Sequence, residues 1–155
     1  MERYALFPGS FDPVTLGHYD IVLRASSLFD KLYVALGANS QKPRFFPIEK
    51  SLKMLDAVFS PFPNIEIVQY DILTVDFCKK MDIRYIVRGI RNISDFEFER
   101  SLAFANQKLF PEVETIFLDS KAEYVAISST IIRELVRNKA DVSSFVPEAI
   151  LEHLQ

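Results

Sequence analysis

The chain has 155 residues, which is enough for one domain and hardly for two. A formal net charge of −3 and a pI of about 5.4 argue against a general nucleic-acid-binding protein, because such proteins need a basic surface. The single cysteine, Cys78, excludes an internal disulfide and is typical of a reducing compartment. No signal peptide and no apolar run of ~20 residues is evident, so we expect a cytoplasmic protein that does not contact a membrane.

Short apolar, β-branched runs alternate along the chain with longer runs whose apolar residues recur every three to four positions. Strands are predicted over residues 3–7, 31–36, 65–70, 84–87 and 114–118. Helices are predicted up to residues 28, 58, 81, 109 and 137, with a last one near the C-terminus. Their predicted first or capping residues are Thr15, Pro47, Thr74, Ser94 (with Glu97), Ser128 and Pro147. This alternation predicts an α/β fold, a single domain over 1–155 with one doubly wound five-stranded parallel sheet.

The segment after the first predicted strand is equipped to hold phosphates. Gly9-Ser10-Phe11-Asp12-Pro13 forms a turn, and Thr15-Leu16-Gly17-His18 begins the following helix. A helix N-terminus offers free N–H groups and a partial positive charge. The turn adds a hydroxyl, and the helix adds one of only two histidines in the chain.

Polar residues also follow the other predicted strands. In doubly wound sheets, ligands bind at the carboxyl ends of the strands, near the point where the strand order reverses. The residues at these ends are Asn39, Ser40 and Lys42; Asp71 and Thr74; Arg88 to Arg91; and Lys121, Tyr124 and Ser128 to Thr130. Two arginines, a lysine and a histidine are among the residues at these strand ends, although the protein as a whole is acidic. We therefore expect a ligand with several phosphates.

Other chemistries find little support. The chain has neither G-x-x-x-x-G-K-[ST] nor G-x-G-x-x-G, and no Cys/His set has metal-ligand spacing, so no protein metal site is predicted. Cys78 is predicted to be a small core residue. Phe96, Phe98, Phe104 and Phe110 are predicted to lie mostly in the core, with a subunit interface or an apolar ligand wall as the alternatives.

The ordered motifs resemble those of a known family. Thr15-Leu16-Gly17-His18 is similar to the T/H-x-G-H signature of the nucleotidyltransferase superfamily, and Ile127-Ser128-Ser129-Thr130 with Arg133 is similar to its I-S-S-T signature. Arg88-Gly89-Ile90-Arg91, with the acidic and aromatic residues at 95–99, narrows the resemblance to the bacterial phosphopantetheine adenylyltransferases. The resemblance extends from residue 4 to residue 147 and implies a Rossmann-like nucleotidyltransferase fold.

The resemblance implies transfer of AMP from ATP to 4′-phosphopantetheine, giving dephospho-CoA and pyrophosphate. It also implies Mg²⁺, bound mainly through the ATP phosphates, and a homohexamer. Because the nucleophile is a phosphate dianion that needs no general base, we expect in-line attack without a covalent intermediate. Since the product resembles coenzyme A, we expect coenzyme A as a feedback ligand. By matched position, the catalytic residues are His18, Lys42 and Arg91. The ATP-binding residues are Ser10, Phe11, His18, Gly89, Ile90, Arg91, Glu99, Tyr124, Val125, Ala126, Ile127, Ser128, Ser129 and Thr130. The residues that bind phosphopantetheine are Ser10, Lys42, Thr74, Arg88, Asn106 and Glu134.

The sequence departs from the usual family residues at three places. Ser10 stands for the usual Thr, Thr74 for Leu or Met, and Asp71-Ile72 for a small or glycine-containing pair. The sequence leaves three alternative functions open. The protein could be a related nucleotidyltransferase with another phosphate acceptor, a non-catalytic nucleotide-binding or regulatory module, or a scaffold whose function is its oligomer.

Overall fold

The structure is a computed structural model that describes residues 1–38 and 42–155. Five strands and five α-helices alternate along the chain, as the sequence predicts. The elements are β1 (Tyr4–Gly9), α1 (Leu16–Ser26), β2 (Lys31–Gly37), α2 (Ile48–Phe59), β3 (Ile65–Tyr70), α3 (Thr74–Met81), β4 (Tyr85–Ile90), α4 (Ile93–Leu109), β5 (Glu114–Asp119) and α5 (Ser129–Arg137). Two 3₁₀ segments, Ala122–Tyr124 and Glu148–Leu154, flank α5.

The strands form one sheet in the order β3-β2-β1-β4-β5, and every neighbouring pair is parallel. This confirms the predicted doubly wound sheet. The order reverses between β1 and β4, where Leu6 lies opposite Ile86. Because the chain leaves these two strands in opposite directions, a crevice opens beyond their carboxyl ends.

Two hydrophobic clusters hold the helices against the sheet. The larger joins β1 and β2 to α1, α2, α5 and the C-terminal 3₁₀ segment, with Val34, Met54 and Ile132 fully buried. The smaller cluster joins the remaining buried side chains of the strands, such as Leu6 and Ile86, to Phe77 and Cys78 of α3. Burial raises the pKa of the Cys78 thiol to about 12, so this cysteine is a protonated core residue, as predicted.

Three predicted helix starts, and the type of the last predicted helix, are corrected by the structure. Pro47 precedes α2, because its ψ of 150° is extended rather than helical. Leu73 precedes α3, and Thr74 is its first helical residue. Asn92, rather than Ser94, caps α4, since its side chain accepts from the N–H of Asp95. The segment after Pro147 is a 3₁₀ helix. The caps predicted at Thr15 and Ser128 are confirmed.

The prediction that the phenylalanines of α4 lie mostly in the core is wrong. Phe98 and Phe104 are each 64% exposed, and Phe96 is 39% exposed. Glu99 is the buried residue of this helix, so α4 covers β4 and β5 only along a narrow stripe. None of the helices in residues 1–38 and 42–155 combines the length and the hydropathy that spanning a bilayer requires.

Candidate active site

Two cavities adjoin at the carboxyl ends of β1 and β4. The His18 cavity, of about 320 Å³, extends toward α1 and α5. The Asn106 cavity, of about 370 Å³, extends toward α3 and α4. Both are lined by Pro8, Gly9, Ser10, Arg88 and Glu99. Ser10 and Arg88 therefore lie where two ligands bound in these cavities would meet.

Most predicted nucleotide-binding residues lie together in the His18 cavity. The predicted residues that line it are Ser10, His18, Gly89, Arg91, Glu99, Tyr124, Ile127, Ser128, Ser129 and Thr130. Ile90, Val125 and Ala126 belong to the same chain segments but are not among the lining residues. A cavity with arginines, hydroxyls and a helix N-terminus suits a polyphosphate.

His18 is held in one orientation by the first turn of α1. Its backbone N–H donates to Oγ1 of Thr15 at 3.1 Å, and the backbone N–H of Thr15 donates to Nδ1 of His18 at 3.0 Å. Nδ1 therefore accepts, and the proton of the neutral ring lies on Nε2. Burial, together with the charges of Arg88 and Arg91, lowers the pKa of His18 to about 4. His18 thus presents a neutral N–H donor.

The ring of Phe11 packs against the ring of His18. The side chain of Phe11 is buried, its backbone has a φ of 45°, and its ring centroid lies 5.1 Å from that of His18. A Cβ at Gly9 would lie 2.9 Å from Cζ of Phe11, so glycine is needed for the ring to fit. The structure therefore leaves only the backbone of Phe11 for the predicted contact with ATP.

Arg88 is oriented by a second predicted site residue. Its Nε and Nη2 donate to the two carboxylate oxygens of Glu99 at 2.8 and 2.7 Å, and its Nη1 donates to the carbonyl of Pro8 at 2.6 Å. This bidentate pair fixes the plane of the guanidinium. Since a guanidinium has five N–H groups, two more are available to a bound anion. Glu99 therefore acts through Arg88 at the junction of the cavities.

Arg91 connects the segment after β4 to the I-S-S-T motif before α5. Its Nε donates to Asp95 and its Nη1 to the carbonyl of Ile127, each at 3.2 Å. Ser128 caps α5 by accepting from the N–H of Ile131. The backbone N–H groups of Ser129 and Thr130 precede the first backbone hydrogen bond of this helix, and both residues line the His18 cavity.

The Asn106 cavity is more apolar. The predicted residues that line it are Ser10, Thr74, Arg88 and Asn106, and the side chains of Leu73, Leu102 and Leu109 add to its walls. The Thr74 hydroxyl is 2.9 Å from the hydroxyl of Tyr70, so it is turned toward the sheet. This cavity suits a thin, largely uncharged chain that ends at Arg88.

Besides Phe11, Ile90, Val125 and Ala126, two further predicted site residues line neither cavity. Lys42 is exposed, in the segment between β2 and α2. Glu134 is exposed on α5, where it accepts from Arg137 at 2.7 Å and from Asn138 at 3.0 Å. Asn39 and Ser40, which we expected after β2, lie outside the described residues.

Sequence reasoning missed a network of hydrogen bonds around the buried Asp12, next to Ser10. Asp12 accepts from the backbone N–H groups of Phe45 and Phe46, each at 2.9 Å. Arg44 donates to the carbonyl of Ser10, and Arg133 donates to the carbonyl of Asp12. Asp12 lies in the turn after β1 and Arg133 lies three residues after the I-S-S-T motif, but these bonds join residues that are 33 to 121 positions apart in the sequence. No local pattern could have paired them.

Across residues 1–38 and 42–155, no group of three His, Cys, Asp or Glu residues could hold a metal ion. The two carboxylates of the His18 cavity, Asp95 and Glu99, are each paired with an arginine. A Mg²⁺ ion fits this donor set only when phosphate oxygens supply most of its ligands.

The fold and its paired cavities suit a nucleotidyltransferase, and comparisons with known proteins show that class. The sequence profile of the cytidylyltransferase-like family matches residues 6–135. A putative nicotinate-nucleotide adenylyltransferase from Vibrio parahaemolyticus superposes with a TM-score of 0.79 and 19% identity, covering 99% of this chain and 92% of that chain. At that identity, the likeness supports the fold alone.

Sequence relatives narrow the class. A phosphopantetheine adenylyltransferase from Aromatoleum aromaticum is 46% identical over 99% of this chain and 94% of its own length. Those from Flavobacterium psychrophilum and Lachnoclostridium phytofermentans are 45% and 41% identical, over 96% and 97% of this chain and 97% and 92% of their own lengths. The chain belongs to the phosphopantetheine adenylyltransferase family.

Proposed function

We propose that this protein transfers the adenylyl group of ATP to 4′-phosphopantetheine, producing dephospho-CoA and pyrophosphate. The observation that supports this best is the pair of adjoining cavities with Ser10 and Arg88 at their junction. ATP occupies the His18 cavity with its triphosphate toward α5. The pantetheine arm occupies the apolar Asn106 cavity and brings its phosphate to Arg88, close to the α-phosphate of ATP.

The reaction is an in-line displacement at the α-phosphorus. A phosphate oxygen of phosphopantetheine forms the new P–O bond, and the bond from the α-phosphorus to the bridging oxygen breaks, so pyrophosphate leaves with the electron pair. The second pKa of a phosphate monoester is about 6, so the nucleophile is largely a dianion at neutral pH and needs no general base. The residues have to bring two anions together and stabilise the transition state.

His18, Lys42 and Arg91 supply that stabilisation in the proposed mechanism. The Thr15–His18 bond aims Nε2–H of a neutral ring into the cavity, where it donates to an α-phosphate oxygen as charge develops. Arg91 and the N–H groups of Ser129 and Thr130 bind the β- and γ-phosphates as they become the leaving group. Lys42 approaches the acceptor phosphate from the segment after β2.

A Mg²⁺ ion bound with ATP would neutralise part of the phosphate charge, and it would take most of its ligands from the triphosphate. Asp95 and Glu99 remain with their arginine partners.

The proposed activity is tested by incubating the protein with ATP, Mg²⁺ and 4′-phosphopantetheine and detecting dephospho-CoA by mass spectrometry. Parallel reactions contain nicotinamide mononucleotide or glycerol 3-phosphate as the acceptor. Product with phosphopantetheine alone supports the proposal. Product only with another acceptor would identify a related nucleotidyltransferase, and ATP binding without any product would identify a regulatory module.

We further propose a homohexamer whose contacts include the large apolar side chains exposed on α4, namely Ile93, Phe98 and Phe104. Several large apolar side chains exposed on one helix favour a protein–protein contact over a surface that stays in water. The occupant we propose is a second copy of the chain. Native mass spectrometry tests this directly: the proposal requires six times the 17.8 kDa chain mass. Substitution of Phe98 and Phe104 by Ser is expected to give smaller species.

Two further expectations remain part of this proposal. Coenzyme A contains the product dephospho-CoA, so it fits the same two cavities and is expected to compete with both substrates. A cytoplasmic location accords with a single, buried cysteine.

A further inference from the structure

Asp12 is a buried carboxylate outside the predicted set of site residues. It is 6% exposed, and its two oxygens each accept from one backbone N–H, those of Phe45 and Phe46, at 2.9 Å. A carboxylate is costly to bury unless such donors compensate it. These two bonds therefore tie the turn after β1 to the segment that leads into α2.

Arg44 makes the reciprocal connection. From the segment before α2, its Nη2 donates to the carbonyl of Ser10 and to the buried hydroxyl of Ser51, both at 2.8 Å. Its Nε donates to the carbonyl of Phe46 at 3.1 Å, and its guanidinium is 3.9 Å from Asp12. Two polar connections in opposite directions hold the segment in one position relative to Ser10.

Lys42 lies two residues before Arg44, directly upstream of the residues held in this way. Ser10 lines both cavities, so the network relates the position of Lys42 to the junction where the two substrates meet. We propose that Asp12 and Arg44 are positioning residues, which place Lys42 for the phosphate of the acceptor substrate. This inference rests on the proposed function, because it takes the role of Lys42 from it.

A flexible lysine cannot replace Arg44 in this arrangement. The guanidinium reaches three acceptors through two nitrogens in a fixed plane, whereas an ammonium offers one point of attachment. Arg44→Lys is therefore expected to behave like Arg44→Met. If the charge of residue 44 acted directly on the acceptor phosphate, Arg44→Lys would instead restore most of the wild-type KM.

The experiment measures KM for 4′-phosphopantetheine and for ATP in Asp12→Asn, Arg44→Met and Arg44→Lys. We expect KM for phosphopantetheine to rise by about 10-fold to 100-fold, the cost typical of a misplaced binding group, and KM for ATP to change by less than about threefold. Arg84→Met serves as the matched control, because Arg84 pairs with Asp82 and Glu112 at the opposite end of β4. It should leave both KM values unchanged.

A double-mutant cycle with Lys42→Ala separates positioning from a general structural role. In the Lys42→Ala background, Asp12→Asn and Arg44→Met should raise KM for phosphopantetheine by less than about twofold further. An undiminished effect in that background, or an equal rise in both KM values, would overturn the inference while leaving the proposed function intact. A folded wild-type protein that makes no dephospho-CoA would refute the proposed function itself. If Asp12→Asn does not fold, the Arg44 variants decide the outcome.

Discussion

The backbone N–H of Thr15 donates to Nδ1 of His18 at 3.0 Å, while the backbone N–H of His18 donates to Oγ1 of Thr15 at 3.1 Å. This reciprocal arrangement is a capping box in which histidine takes the place of the usual Glu or Gln. The two bonds cap α1, and the one to Nδ1 also selects the tautomer of the His18 ring. The spacing T-x-x-H is therefore the one that helix geometry requires for this cap.

We expect the ring of His18 to stay neutral, with its proton on Nε2, from pH 8 down to about pH 5. Its pKa is lowered to about 4 by burial and by the charges of Arg88 and Arg91. The measurement is the pair of ring ¹⁵N shifts in a His153→Gln variant, in which His18 is the one remaining histidine. A protonated Nδ1 at pH 7, or titration near pH 6.5, would contradict the arrangement.

The lowered pKa of His18 also predicts how the stability of the fold depends on pH. Between the folded pKa of about 4 and the ordinary value of 6.5, the unfolded chain binds a proton at His18 that the folded chain does not. The free energy of unfolding should therefore fall as the pH falls through this window, with His18 contributing on the order of 2–3 kcal/mol. Urea unfolding of wild type and His18→Gln at pH 7 and pH 4.5 measures this contribution. Equal losses in both proteins would exclude it.

Replacement of His18 by Ala should lower kcat by about 10²-fold to 10³-fold, the size typical of losing one transition-state donor. KM for both substrates should change much less, because the donor acts mainly on charge that develops during the reaction. Steady-state kinetics, with circular dichroism to confirm the fold, tests this. A variant with near-wild-type kcat would remove His18 from the mechanism.

Replacement of Lys42 by Ala should weaken binding of phosphopantetheine far more than binding of ATP. The reason is its location after β2, away from the residues that line the His18 cavity. Isothermal titration calorimetry with each substrate measures the two affinities separately. Equal weakening of both would mean that Lys42 contacts the triphosphate.

Gly9→Ala should destabilise the protein by about 1–3 kcal/mol, the usual cost of overpacking a core. The added Cβ would lie 2.9 Å from Cζ of the buried Phe11 ring, which packs beneath His18. Gly17→Ala is the matched control, since its Cβ would meet no atom closer than 3.4 Å. Thermal unfolding should show a lower Tm for Gly9→Ala only; equal Tm values would contradict the packing.

The sequence by itself determined the class of fold and most of the candidate nucleotide site. Apolar runs of strand length alternate with helical runs, and the two signatures are local enough that Ser10, His18 and Ser128 to Thr130 could be placed at strand and helix ends. Thr15 and Ser128 were recognisable as caps because a cap acts within three residues. The phenylalanines of α4 were misleading, since hydrophobicity does not distinguish a core from an uncovered face.

Only the tertiary structure decided how these segments act on one another. The order β3-β2-β1-β4-β5 brings β1 beside β4, and thereby Arg88 to the carbonyl of Pro8, 80 residues away. The pairing of Asp12 with the backbone of Phe45 and Phe46, and the bond from Arg133 to Asp12, likewise depend on long-range packing. A backbone N–H or carbonyl is present at almost every residue, so no pattern of side chains marks which one a buried charge will reach.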